Sequence, residues 1–278
     1  MRGTTVRAAV VVGVDESEAA LAAARWAAEE AVRRECVLRL FHAGLVDPAR
    51  RERPGEEPLP LERARRWIER AVQVAQEAAP GVRIEYVVRL GTAADLLVGL
   101  SEEAALIVLG SHGLGGLRGA AIGSVALRVA ASARCPAVIV RGRAKPGGPV
   151  VAGVVGDGDD RTLRFAAEAA RGRQVPLILV HAWHEGLLDD PDLVEAAAEG
   201  EERALRRRAD DLARTGPGGT ILARAVHERS AARALLGFED AQLLVIGSRG
   251  RGAVTGGLFG STGNRLLAHA ICPVAVVR

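Results

Sequence analysis

Two glycine-rich segments of this chain have the residue types and the spacing of a phosphate-binding loop. Both follow the pattern G-x2-G-x9-G-S, and they start 137 residues apart. Glycine lets a ligand approach the backbone closely, and a helix that follows offers free N–H groups to an anion. The pattern therefore predicts phosphate binding in each half of the chain. Its fixed residues are Gly110, Gly113, Gly123 and Ser124 in the first half, and Gly247, Gly250, Gly260 and Ser261 in the second.

Each glycine segment lies between a predicted strand and a predicted helix. The apolar runs Leu106–Leu109 and Leu243–Ile246 come directly before them and are typical of buried parallel strands. A helix is predicted over Ser124–Ala133. Strands and helices alternate in this way through both halves, which predicts an α/β fold with two doubly wound five-stranded parallel-sheet domains.

The ten predicted strands fall into two equal sets. After the second strand of the first half, a loop is predicted over residues 43–60, because this segment is polar and rich in proline. The strands are Ala8–Val14, Val37–Phe41, Val82–Val88, Leu106–Leu109 and Ala137–Val140 in the first half, and Val150–Val155, Leu177–Val180, Ile221–Val226, Leu243–Ile246 and Val274–Val277 in the second.

The repeat sets the domain boundaries. A chain of 278 residues has room for two ordinary domains, and Cys135-Pro136 recurs as Cys272-Pro273. Residues 144–149 have the proline and glycine content of a linker. We therefore predict domains over residues 1–143 and 150–278.

Composition excludes several kinds of function. The net charge is only +3, and basic residues are interleaved with acidic ones, so nucleic-acid binding is not expected. The apolar runs are too short to span a membrane, and residues 1–6 lack a signal-peptide pattern. Three cysteines without a CxxC pair fit a reducing compartment, so we expect a cytoplasmic protein.

Lysine chemistry is nearly absent. Lys145, in the predicted linker, is the single lysine of the chain. Neither domain can therefore use a P-loop lysine or a Schiff-base lysine. Arginine can replace the charge of a lysine but cannot act as an amine nucleophile.

Together these features resemble a tandem universal stress protein over nearly the whole chain. The resemblance is carried by VVGVDES at Val11–Ser17, by the two glycine motifs, and by the terminal segments CPAVIVR and CPVAVVR. It implies strand order 3-2-1-4-5 in each domain. It also implies that the last strands, Ala137–Val140 and Val274–Val277, pair within the chain as a pseudo-dimer, and that two chains could associate further as a homodimer.

The resemblance also implies an ATP site, with Mg²⁺ as an optional companion. The glycine loops would hold the phosphates, and Asp15 would bind the adenosine part. The chemical alternative for Asp15 is a turn or a helix cap. The implied nucleotide contacts are Val14, Asp15, Ala43, Gly110, Gly113, Gly123, Ser124 and Val125 in the first half, and Gly247, Arg249, Gly250, Gly260, Ser261 and Thr262 in the second.

The second half departs from the pattern. Val155 stands where the first half has Asp15, although Asp157 or Asp159 could reach the same space. Arg249 and Arg251 could bind phosphate or be solvated loop residues, whereas the first half has His112 at the position of Arg249. We therefore expect weaker nucleotide binding in the second half.

Other side chains have two possible roles each. Ser124 and Ser261 could cap their own helices, bind phosphate, or do both. His42 and His181 each come near the end of a second strand and are expected to be structural, because neither half shows a second ligand at metal-binding spacing. Trp183 could line the cleft. Cys135 and Cys272 precede prolines and are expected to be buried.

The function predicted from these residues is a cytoplasmic, ATP-binding sensor or adaptor with an unknown protein partner. No paired carboxylates lie beside either glycine loop, so catalysis and a metal site are not expected. Three alternatives stay open. They are a slow ATP hydrolase or phosphoryl-transfer enzyme, a ligand-free dimerisation or interaction scaffold, and a sensor of AMP or a cyclic nucleotide.

Overall fold

The computed structural model describes residues 9–44, 59–113, 122–155, 160–184, 191–248 and 260–278. The chain divides into two compact units, Met1–Val140 and Arg141–Arg278, referred to below as unit 1 and unit 2. Each unit has five parallel strands and its own helices.

Unit 1 has five parallel strands in the order β3-β2-β1-β4-β5. This confirms the predicted order 3-2-1-4-5. Its elements are β1 (Ala9–Gly13), α1 (Glu18–Arg33), β2 (Val37–Gly44), α2 (Leu59–Ala78), β3 (Ile84–Leu90), α3 (Ala93–Leu100), β4 (Leu106–Gly110), α4 (Ser124–Ser132) and β5 (Ala137–Val140).

Unit 2 repeats this arrangement with the order β8-β7-β6-β9-β10. Its first strand again lies in the middle of the sheet, between the second and the fourth. Its elements are β6 (Val150–Gly153), α5 (Asp160–Arg173), β7 (Leu177–Trp183), α6 (Pro191–Thr215), β8 (Ile221–His227), α7 (Ala231–Leu236), β9 (Leu243–Gly247), α8 (Ser261–His269) and β10 (Val274–Val277).

The central strands are buried on both faces, which explains their continuous apolar sequences. Val10, Val11 and Val12 of β1 have at most 1% of their surface exposed. In unit 1, α1 packs with α2, and α3 packs with α4, as expected when helices cover both faces of a doubly wound sheet. Because helices cover both faces of the sheet, the loops that follow the strands meet at the carboxyl ends of the strands.

Two strands are three residues longer than the sequence predicted. β2 extends to Gly44 and β7 extends to Trp183, because both continue their pairing with β3 and β8 past the apolar run. His42 and His181 therefore lie inside strands. Helix α2 begins at Leu59, within the predicted loop over residues 43–60. Residues 45–58 of that loop lie outside the described residues.

In the described part of the chain, every helix is too short or too polar to cross a membrane.

Candidate functional site

The predicted site of unit 1 is a single cavity of about 530 Å³ at the carboxyl ends of β1 and β4. These strands are neighbours in the sheet, and the chain leaves β1 toward β2 on the opposite side, so the cavity lies where the strand order reverses. Ligands of doubly wound sheets bind at such a point. All eight residues predicted for the first half line this cavity: Val14, Asp15, Ala43, Gly110, Gly113, Gly123, Ser124 and Val125.

Asp15 is held by the turn that begins α1. Its Oδ1 accepts hydrogen bonds from the Ser17 backbone N–H, at 3.0 Å, and from the Ser17 hydroxyl, at 2.5 Å. Ser17 is the N-cap of α1, and its hydroxyl oxygen accepts from the Ala20 N–H at 3.1 Å. The carboxylate thus has the turn role that its position suggested and still lines the cavity, with Oδ2 on the side of Gly113.

Two glycines of the first motif are required by close approach. A Cβ at Gly113 would overlap Oδ2 of Asp15, so a side chain there would displace the carboxylate. A Cβ at Gly110 would lie 2.6 Å from the backbone of Ala19, so Gly110 lets β4 meet the first turn of α1. Gly113 therefore shapes the cavity, whereas Gly110 serves packing as well.

The helices behind the glycine motifs are capped by glycine and not by serine. Gly123 is the N-cap of α4 and Gly260 is the N-cap of α8, and neither cap has a side-chain hydrogen bond. Ser124 and Ser261 are the first helical residues, so of the two roles left open for them the N-cap role is excluded. A glycine cap leaves the first N–H groups of the helix without a side-chain acceptor, which suits an anion.

The remaining wall of the cavity in unit 1 is largely apolar. Phe41, Leu97, Leu109 and Ile122 line it, and sequence reasoning did not identify them as site residues. Leu97 comes from α3 and is buried. A flat ring system fits against such a wall, whereas the polar atoms lie on the side of Asp15 and α4.

The two histidines at the strand ends have equivalent structural roles. His42 Nδ1 donates to the Val14 carbonyl at 2.8 Å, and His181 Nδ1 donates to the Val154 carbonyl at 2.9 Å. Each ring thereby fixes the backbone just before Asp15 or Val155. His112 also lines the cavity of unit 1, and its Nδ1 lies 2.9 Å from the Ser111 hydroxyl.

Unit 2 has a corresponding cavity of about 490 Å³, with Val155 in its wall where unit 1 has Asp15. Arg249 and Gly250, and likewise Asp157, Asp159 and Arg251, lie outside the described residues. Four of the six predicted residues of this half line the cavity: Gly247, Gly260, Ser261 and Thr262.

Arg229 and His184 also line the unit 2 cavity and were not predicted. Arg229 directly precedes Ser230, the N-cap of α7. In unit 1 the residue before the N-cap of α3 is Gly91, so this arginine is specific to unit 2. No motif marks it, because its place beside the cavity depends on where β8 ends.

Trp183 does not line the unit 2 cavity. It is 9% exposed, and its ring stacks on His227, with 4.7 Å between the ring centroids. The prediction that it could line the cleft is therefore wrong. The reason is that β7 extends to Trp183 and pairs it with His227 of β8.

The cysteines match between the two units. Cys135 and Cys272 are free and buried, and burial raises the pKa of each thiol to about 11. Cys36 likewise forms no disulfide among the described residues and is half-buried. Over the described ranges, no group of three or more His, Cys, Asp or Glu side chains is placed to hold a metal ion.

The model of the universal stress protein family matches this chain twice, over residues 8–141 and 149–278. Universal stress protein Rv2623 of Mycobacterium tuberculosis (strain ATCC 25618 / H37Rv) is 32% identical over 97% of this chain and 96% of its own length. Universal stress protein Rv2005c of the same strain is also 32% identical over the same shares.

A solved structure shows the same fold at lower identity. The crystal structure of a universal stress protein from Archaeoglobus fulgidus DSM 4304 has a TM-score of 0.72 and is 18% identical. The match covers 97% of this chain and 96% of that chain.

Proposed function

Since the chain belongs to the universal stress protein family, we propose that it is a regulatory protein that binds ATP in unit 1. One observation carries this proposal. Eight residues that are spread from Val14 to Val125 in the sequence line one cavity at the strand switch point.

The walls of the cavity match the three parts of ATP. Phe41 and Leu97 offer an apolar surface for the adenine ring, and Ala43 offers backbone groups beside it. The Asp15 carboxylate can accept hydrogen bonds from the ribose hydroxyls. The N-terminus of α4 can hold the phosphates with its free N–H groups. A cavity of about 530 Å³ lies within the usual size range for small-molecule sites.

In unit 2 we propose weaker nucleotide binding. Val155 has no atom that can accept a hydrogen bond from a ribose hydroxyl, so this cavity lacks the carboxylate of unit 1. The glycine cap of α8 and Arg229 remain as possible phosphate contacts. A phosphate group can bind there without selection for the ribose.

We also propose that binding, and not turnover, is the function. A hydrolase needs a positioned base and concentrated charge around the phosphates. Asp15 is the one carboxylate that lines the unit 1 cavity among the described residues, and its Oδ1 is already engaged by Ser17. A nucleotide-dependent sensor or adaptor in the cytoplasm, with a protein partner and optional Mg²⁺, fits this arrangement best.

Calorimetric titration of the full chain with ATP tests the proposal. Gly123→Val places a side chain at the N-cap of α4, where a Cβ already lies 3.3 Å from His112 Cα. We expect it to lower the ATP affinity by about tenfold, which corresponds to the loss of one charge-assisted hydrogen bond. Gly99→Val is the control for the valine itself, because a Cβ at Gly99 meets nothing within 4 Å and this residue is outside the cavity lining.

Three results would contradict the proposal. Equal affinity of wild type and Gly123→Val would place the phosphates elsewhere. Tighter binding of AMP or cyclic AMP than of ATP, in parallel titrations, would show that the ligand is that nucleotide and not ATP. Release of phosphate over many turnovers by the purified protein, lost in Gly123→Val, would show an enzyme instead of a sensor.

A further inference from the structure

Unit 2 contains a second cavity, of about 640 Å³, between helices α5 and α6. We refer to it as the α5–α6 crevice. Its lining includes charged side chains of both signs and three leucines: Asp160, Arg164, Glu201, Arg207, Arg208 and Asp211, with Leu163, Leu205 and Leu212.

The corresponding helices of unit 1 lie closer together. There α1 and α2 pack closely, whereas among the described residues α5 and α6 make almost no close backbone approach. β3 and β8 begin 137 residues apart, and the turns before them contain Pro80-Gly81 and Pro217-Gly218. The same shift relates the helices α2 and α6 that precede these turns.

Three substitutions between the repeats explain the opening. By this shift, Trp67, Ala71 and Val74 of α2 correspond to Ala204, Arg208 and Asp211 of α6: a large ring is lost, and two apolar residues become charged. Ala71 is fully buried in unit 1. A guanidinium cannot be buried there without a large desolvation cost, so α6 stands away from α5.

Most charges around the crevice are already paired. Arg208 lies 3.7 Å from Asp160, and Asp211 pairs with Arg214 at 2.5 Å. His181 Nε2 lies 3.5 Å from Glu201, a pair that is ionic only when the imidazole is protonated. These pairs account for all three carboxylates in the lining.

Arg164 and Arg207 are different. Both line the crevice, and in the part of the chain that the structure describes neither has an ion-pair or hydrogen-bond partner. Among the described residues the crevice therefore presents two arginines without a direct ion-pair partner, one from each helix.

We propose that the α5–α6 crevice is a binding site for a small organic anion. Arg164 and Arg207 bind its carboxylate or phosphate from opposite walls, because guanidinium groups match both anions with paired N–H donors. The carbon skeleton of the ligand lies against Leu163, Leu205 and Leu212. In the described part of unit 1, the close packing of α1 with α2 takes up the corresponding place.

The crevice adjoins the other cavity of unit 2, the one of about 490 Å³ that corresponds to the proposed ATP site of unit 1. Val154, Val155 and His181 line both spaces. An anion in the crevice would therefore lie next to anything bound at the carboxyl ends of β6 and β7. The site does not depend on ATP binding in unit 1, so the two proposals can fail separately.

Methyl NMR spectra of the full chain test the site with two probes, citrate and glucose 6-phosphate. The signals of Leu163, Leu205 and Leu212 report directly on the crevice. We expect at least one probe to shift all three signals in a saturable way at millimolar concentration or below. Citrate alone would indicate a carboxylate ligand, and glucose 6-phosphate alone would indicate a phosphate ligand.

Variants separate a built site from loose surface binding. Combining Arg164→Ala with Arg207→Ala should weaken binding of the active probe by at least about tenfold. Ala204→Trp, which restores the ring of unit 1, should abolish the shifts. Arg203→Ala is the matched control, because this α6 arginine pairs with Glu199 and is outside the crevice lining.

The proposal is wrong if neither probe shifts the three leucine signals, or if the double arginine variant binds as tightly as wild type. In Asp15→Ala, the probe should shift the three leucine signals as in wild type, because that substitution affects only unit 1. If Ala204→Trp fails to fold, the double arginine variant alone decides, since both of its positions are exposed and away from the core.

Discussion

The two units have the same fold and differ in the residues that face a ligand. Both have strand order 3-2-1-4-5, a histidine that binds the backbone after the first strand, and a glycine-capped helix behind the glycine motif. Unit 1 places Asp15 in its cavity, whereas unit 2 places Val155 there. Unit 2 has a crevice beside α6, whereas unit 1 packs its helices together.

This difference shows which positions a duplicated fold can change at low cost. The buried strand residues must stay apolar, because each charged group placed there would lose its hydration. A residue at the end of a strand faces solvent and a cavity, so Asp and Val are both tolerated. Ligand chemistry can therefore diverge between the repeats while their cores stay alike.

The largest effect is expected from Gly113→Val. The new side chain would overlap the carboxylate of Asp15 and fill the cavity of unit 1. We expect ATP affinity to fall by about 100-fold, the upper part of the cost of overpacking. Gly99→Val serves as a control for the valine itself, because a Cβ at Gly99 meets nothing within 4 Å. If the ATP affinity of Gly113→Val is within twofold of that of wild type, Gly113 is not part of the ATP site.

A smaller loss is expected when the difference between Asp15 and Val155 is erased. Asp15→Ala should lower ATP affinity by about tenfold, as for one hydrogen bond to a charged group. Val155→Asp should raise nucleotide affinity in unit 2, which calorimetry detects as a second binding event. If both substitutions leave the titration curves unchanged, the carboxylate does not explain why the units differ.

The turn that holds Asp15 should contribute measurably to stability. Ser17→Ala removes the N-cap of α1 and one hydrogen bond to Asp15, so we expect a loss of about 1 kcal/mol in the free energy of unfolding. Ser230→Ala is the comparison in unit 2, because its cap bond to the Arg233 N–H is longer, at 3.4 Å. Urea denaturation should show the smaller change for Ser230→Ala; an equal change would contradict the assignment.

The smallest difference between the units is expected for the cysteines. Cys135 and Cys272 both have a thiol pKa raised by burial from 9.0 to about 11, so at neutral pH both stay protonated. Labelling of the native protein with a disulfide reagent should be slow at both and faster at Cys36. Unequal rates at Cys135 and Cys272 would show that the two cores differ.

The same pKa shift predicts lower stability in alkali. The unfolded chain releases the thiol protons near pH 9, whereas the folded chain keeps them until about pH 11. The stabilisation is therefore complete below pH 9 and is lost as the pH rises through 11. Cys272→Ala should flatten this pH dependence in thermal melting curves. A melting temperature that does not vary between pH 9 and pH 11 would contradict the shift.

The fold could be predicted from the sequence because its signals are local. Continuous apolar runs mark strands that are buried on both faces, and small residues at helical spacing mark the helices. The ends of the strands could be predicted less accurately than their positions in the chain. β2 extends to Gly44 and β7 to Trp183 because neighbouring strands continue to offer hydrogen bonds, which a single run of residues does not reveal.

For the candidate site, the sequence shows the residue types of the glycine motifs and of Asp15. It also shows that the two halves are not equivalent, because Val155 stands at the position of Asp15. The repeat and the lack of usable lysine follow from the same residues. These features need no three-dimensional information, because they depend on spacing and on chemical type.

The rest depends on segments that are distant in the sequence. Only the folded chain shows that Phe41 and Leu97 complete the cavity of unit 1 and that Arg164 and Arg207 face one crevice. The physical reason is that a cavity is the space left where helices fail to meet. Whether two helices meet depends on the side chains of both, so neither sequence segment determines it alone.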